Sequence, residues 1–265
     1  RHVALFDAPH YKGDGTACRA LDLMMVVYEP GHSRRVHSKF LVPPRSARAK
    51  VKLALHGDEV RQHPEYRTIL SNGAGAASQL RVGWGLVQSQ YDAILAANPN
   101  PDCPSDRLNL WTRTRCWLQR EGYAREFDRR CVVKFTADPA GRFAAWDFHV
   151  PCGMGKMTAF RFTVALAPGA NAARLTVARY DAGEEDVGDQ VRLVFRPDIE
   201  WRSFHATTKA YQLESAFAQG VCAVGDGFDF KPYGETFRFR VAGGAYHHEP
   251  QWEYNVPHPE ERSEE

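Results

Sequence analysis

The sequence has no apolar run long enough to span a membrane: its longest, from Leu21 to Tyr28, is the length of a strand and is interrupted by Asp22. A basic field is missing as well. The 34 Lys and Arg residues are nearly balanced by 32 Asp and Glu, and the resulting +2 is spread along 265 residues, which argues against nucleic acid as a partner. No CxxC pair or Cys/His spacing suits zinc. Six cysteines, Cys18, Cys103, Cys116, Cys131, Cys152 and Cys222, are too dilute for a disulfide scaffold and read as reduced, mostly buried thiols. The opening Arg1-His2-Val3-Ala4-Leu5-Phe6 lacks the apolar core of a signal peptide, so a cytoplasmic protein is expected, with export of a longer parent left open. The start without Met and the stop inside Glu260-Glu261-Arg262-Ser263-Glu264-Glu265 read as cuts through that parent. Amphipathic helices are scarce; the best candidates, residues 88–97 and 207–217, are short and only partly amphipathic. No fixed-period repeat occurs.

What the sequence does have is alternation. Val51-Lys52-Leu53-Ala54-Leu55 and residues 108–115 place apolar side chains at every second position, the pattern of half-buried strands. Residues 131–135, the turn Asp138-Pro139-Ala140-Gly141 and residues 142–150 predict a hairpin, and residues 157–166, Pro168-Gly169-Ala170-Asn171 and residues 173–180 predict another. Short strands follow at 191–196, 227–230 and 236–241. The expected fold is all-β, a large antiparallel two-sheet β-sandwich (a super-β-sandwich) with few short helices. Residues 1–265 are read as one domain, with a possible sub-domain junction in the proline-rich loop 98–106.

Candidate sites compete with plainer roles. The acidic clusters Glu184-Glu185-Asp186 and the C-terminal run have no apolar flank to raise a pKa and read as solvated charge, so no catalytic carboxylate pair is nominated. Of the six tryptophans, Trp146 in its alternating strand is the most core-like and Trp252 the least. His205 follows a strand ending at Pro197 and suits either proton transfer or the pairing of an irregular backbone. Tyr246-His247-His248-Glu249 places adjacent imidazoles on opposite faces of an extended chain, a poor metal site, and neither metal nor cofactor is expected. Gly153-Met154-Gly155-Lys156 leads into a strand, so it reads as a turn and not a phosphate loop.

Two passages carry a family likeness. Residues 191–210, with Arg196-Pro197, Arg202-Ser203-Phe204-His205 and Thr208-Lys209-Ala210, resemble the non-catalytic N-terminal domain of bacterial and archaeal glycogen-debranching enzymes. Pro250-Gln251-Trp252-Glu253-Tyr254-Asn255-Val256 is similar to the segment closing that domain, and residues 90–98 with Arg113-x-Arg115-x-Trp117 resemble a connecting part of larger debranching proteins. The resemblance implies a β-sandwich beside a helical catalytic domain of the same parent chain, which would carry the acids that cleave α-1,6 branch points. It implies carbohydrate binding as well: candidate contacts to a glycogen-like α-glucan are Trp252, Tyr254, Trp201, His205 and Arg196. Residues 1–77 match nothing in that picture. Two other functions stay open at this stage, a mutarotase or epimerase using His205 or His149 as acid, and a purely structural interaction domain.

Overall fold

The computed structural model describes residues 19–29, 32–42, 53–100, 102–103, 106–180 and 191–262. The chain divides into two compact units, Arg1–Lys52 and Leu53–Glu265. The division falls between Lys52 and Leu53, whereas the loop 98–106 joins two paired strands inside the second unit. In the first unit β1 (Arg19–Glu29) and β2 (His32–Val42) form an antiparallel hairpin, with Arg19 opposite Val42 and Glu29 opposite His32.

The second unit is built on two antiparallel sheets. One has five strands: β3 (Leu53–His56), β9 (Val132–Ala137), β10 (Phe143–Pro151), β11 (Met157–Leu166) and β12 (Ala173–Tyr180), in the order β12-β11-β10-β9-β3. The other contains β4 (Arg67–Ser71), β5 (Ala77–Arg81), β6 (Ala93–Ala97), β7 (Leu108–Arg120) and β13 (Arg192–Ser203), ordered β13-β7-β6-β5-β4, with β8 (Tyr123–Glu126) folded back on β7. Both expected hairpins are present, as β9–β10 and β11–β12. The Gly153-Met154-Gly155 stretch is the turn between β10 and β11, closed by a bond from the Cys152 N–H to the Lys156 carbonyl. Val51 and Lys52 of the first expected strand, Cys18 and the Glu184-Glu185-Asp186 cluster lie outside the described residues.

The two sheets bury an aromatic core. Trp146 (β10) is 1% exposed, with Phe135, Phe148 and Phe162 sealed around it. Trp84 meets Trp146 and Phe162 edge-on, both at 5.1 Å, the arrangement that the ring quadrupole favours. The Trp146 indole N–H donates to the Val82 carbonyl at 2.9 Å, so this ring enters the core with its polar atom satisfied. Buried charge is handled the same way: Asp147 stands opposite Arg161 across β10 and β11 and accepts from its Nε and Nη2 at 2.6 and 2.8 Å.

Residues 88–97 do not form the helix their apolar run suggests. Residues 93–97 are strand β6, and all five are buried. With both faces covered there is no polar alternation to mark the strand, and Ala-Ile-Leu-Ala-Ala is indistinguishable by period from a buried helical turn. The second expected helix does form, as α2 (Ala210–Gly220). A short helix α1 (Gly57–Gln62) follows β3.

A smaller layer covers the outer face of the six-stranded sheet. It consists of α2, a three-stranded antiparallel sheet of β14 (Val221–Val224), β15 (Gly227–Phe230) and β16 (Phe237–Arg240), and the extended segment 241–258, which ends in α3 (Pro259–Arg262). Aromatic contacts join the layers: Trp111 with Phe239 at 5.1 Å and Trp201 with Phe230 at 6.0 Å.

Candidate binding groove

Between this layer and the sheet, reaching to β12 of the five-stranded sheet, runs an open groove of about 3020 Å³. Its floor is the outer face of β7 and β13, and segment 241–256 forms one wall. On β7, Arg113 and Arg115 are two positions apart and share one face, and on β13 Asp198 pairs in register with Arg113. The carboxylate of Asp198 accepts from Arg113 Nε at 2.6 Å and from Arg115 Nη2 at 2.8 Å. Glu253, on the segment that crosses the sheet, accepts from Arg115 Nη1 at 3.0 Å. Burial opposes the charge of Arg115, but Asp198 and Glu253 together hold its guanidinium above the ordinary arginine value. The result is a four-residue network of alternating charge, three of its members about four-fifths buried.

Four of the five expected contact residues line this groove: Arg196, Trp201, Trp252 and Tyr254. They differ in availability. Trp252 packs on Phe217 at 5.6 Å and is half-buried, so the tryptophan that looks least core-like is tied to the core of the outer layer. Its place in a loop-like stretch beside Pro250 hid this, because the covering helix lies more than thirty positions earlier. Trp201 is half-buried against Phe230. Tyr254, 6.4 Å from Trp252, is 58% exposed. Arg196 is half-buried, and its side chain makes no hydrogen bond or ion pair to another described residue.

His205 does not join them. It is exposed, 3.3 Å from the Tyr91 hydroxyl and edge-on to Phe204, in a surface cluster at the end of β13. His149 is exposed on β10, in the other sheet. His258 does lie in the groove wall; burial and the neighbouring Arg202 push its imidazole below the ordinary value, against Glu261 and Glu200. The Tyr246 hydroxyl meets His248 Nδ1 at 2.9 Å. Among the described residues no group of three or more His, Cys, Asp or Glu side chains is placed to hold a metal ion.

The charged network escaped sequence reading because its members come from three distant segments. The Arg113-x-Arg115 spacing on an alternating strand was the available signal, since it puts two guanidinium groups on one face. No helix among the described residues is long and apolar enough to cross a membrane.

Neither the curated proteins nor the solved structures yield a match. The model of the family described as "Glycogen debranching enzyme N terminal" matches residues 67–265, which take in the whole six-stranded sheet, the outer layer and the groove. On the strength of that match over most of its length, the chain belongs to the glycogen debranching enzyme N-terminal family.

Proposed function

We propose that this chain is the non-catalytic β-sandwich module of a cytoplasmic glycoside hydrolase of the debranching type, packing on the catalytic domain and contacting branched α-glucan through its groove. The observation that carries the reading is that the exposed Tyr254 ring and the Arg113–Asp198–Arg115–Glu253 network line the same groove. A pyranose offers apolar C–H faces and a rim of hydroxyls. An aromatic plane next to fixed charged donors and acceptors complements both.

Three carboxylates of the groove are engaged in ion pairs. Asp198, Glu200 and Glu253 each pair with arginine.

Titrating the chain with maltooligosaccharides while recording tryptophan fluorescence tests the proposal, since Trp111, Trp201 and Trp252 line the groove. A saturable change is expected. A flat response at millimolar sugar would leave only the packing role.

A further inference from the structure

Behind the floor of the groove lies a second, much smaller hollow of about 30 Å³. Arg81, Trp84 and Thr112 line it, and each is at least nine-tenths buried. The same three residues contribute three polar atoms, Arg81 Nη2, Trp84 Nε1 and Thr112 Oγ1, that are sealed from solvent and have no hydrogen-bond partner among the described residues. Two observations therefore fall on the same three residues: a small, partly open space at the sandwich, and buried hydrogen-bonding groups left over on the side chains that line it. We propose that the hollow is a hydration site, holding a water molecule bound to these three side chains.

Size and chemistry both fit that guest. A buried water needs roughly 10–15 Å³ of such space and two to four polar partners, so there is room for one and at most two. The guanidinium and indole N–H groups only donate, while the threonine hydroxyl donates or accepts. Water answers all three, accepting from Arg81 and Trp84 and donating to Thr112.

A halide would also accept from two N–H donors, but the local charge disfavours it. Arg81 is matched by Asp92 and Glu260, and Arg113 by Asp198, while Arg67 shares Glu260 and Arg115 shares Asp198 and pairs with Glu253. Four arginines thus meet four carboxylates, and no excess positive charge remains to hold an anion. Thr112, Arg113 and Thr114 belong to the lining of both spaces. The water would stand directly behind the strand that presents Arg113 to the groove, and this holds whatever the groove binds.

Crystals of the whole chain grown from chloride and from bromide decide the matter. The expected result is one density peak within hydrogen-bonding distance of the three atoms in both, with no bromine anomalous signal there. Bromine signal at the site, or an empty hollow in a map that shows other buried waters, would overturn the proposal. Solution NMR gives a second reading that needs no crystal. The Trp84 indole proton, identified by its loss in Trp84→Phe, should show a nuclear Overhauser effect to a long-lived water; its absence in the wild type would also overturn the assignment.

Discussion

Arg81 of β5 and Glu260 of helix α3 form a 2.5 Å ion pair across 179 positions of sequence. The same guanidinium grips the buried Asp92, whose two carboxylate oxygens accept from Arg81 Nε at 2.9 and 2.8 Å. Beside it, Glu261 accepts from the Ser89 hydroxyl at 2.5 Å and from the Gln90 N–H at 3.2 Å. These bonds latch the end of segment 241–262 onto the sheet. That latch keeps Glu253 over Arg115 and Tyr254 at the mouth of the groove.

Glu260→Gln is expected to cost about 1 kcal/mol at neutral pH, a small figure because the Glu260 side chain is 38% exposed and solvent screens the pair. The hydrogen bond from Arg81 holds the Glu260 carboxyl below its ordinary value, despite partial burial. A depressed folded-state pKa contributes stability that is complete above the unfolded-state value of about 4.3 and is lost as the pH falls through the folded value. Urea unfolding of the two proteins should therefore differ at pH 7 and converge in acid. A constant gap across that range would mean that the charge plays no part.

Asp92→Ala should be far more severe. Asp92 is 2% exposed and accepts from Arg81 and from the backbone N–H groups of Gln88 and Ser89 at 2.8 and 3.1 Å. Removing it leaves Arg81 Nε and two amides without their buried acceptor, while Arg81 Nη1 keeps Glu260 and the Glu65 carbonyl, so the expected loss is about 3 kcal/mol. Thermal unfolding measures it. A drop no larger than that of Glu260→Gln would contradict the burial argument.

Gly227→Ala tests the outer layer by itself. A Cβ at this position would lie 2.0 Å from the carbonyl oxygen of Phe239 on the paired strand β16, and backbone cannot swing aside as a side chain can. The three-stranded sheet should separate locally, exposing the Trp111–Phe239 contact, while the core around Trp146 stays folded. Hydrogen exchange confined to residues 221–241 is the expected signature. Protection unchanged there would show that the strand absorbs the methyl group.

The strands that could be read from sequence were those with an alternating pattern or a strong turn signal. β11 and β12 alternate between less and more accessible positions along much of their length, whereas β10, buried without a break from Ala144 to Phe148, was marked by the Asp138-Pro139-Ala140-Gly141 turn before it. β6 was misread because both its faces are covered. β13 continues through Pro197 to Ser203, although the proline reads as a strand end; as the edge of its sheet, β13 tolerates a residue without an N–H. The three prolines of 98–106 lie in a connection between neighbouring strands, whereas the division after Lys52 follows the Pro43-Pro44 pair. The groove was legible only in pieces. Residue types suggested Trp252, Tyr254, Trp201 and Arg196, but nothing local to the chain could show that Glu253 would close the ring of charge around Asp198.

The last prediction separates aromatic contact from aromatic packing. Tyr254 is 58% exposed, so Tyr254→Ala should change stability by less than about 0.5 kcal/mol. If its ring stacks on a sugar, maltooligosaccharide affinity should nevertheless fall roughly tenfold, the effect of losing an aromatic contact of about 1–1.5 kcal/mol. Trp252→Ala should behave in the opposite sense in unfolding experiments, because it removes the ring packed on Phe217 and leaves a gap in the outer layer, at a cost of about 3 kcal/mol. Asp198→Asn provides the polar counterpart. It keeps the shape of the side chain but removes the charge that Arg113 and Arg115 share, so sugar affinity should fall while the aromatic layer stays intact. Should Tyr254→Ala and Asp198→Asn both bind sugar as well as the wild type does, the groove is not where glucan is held, whatever Trp252→Ala does to the fold.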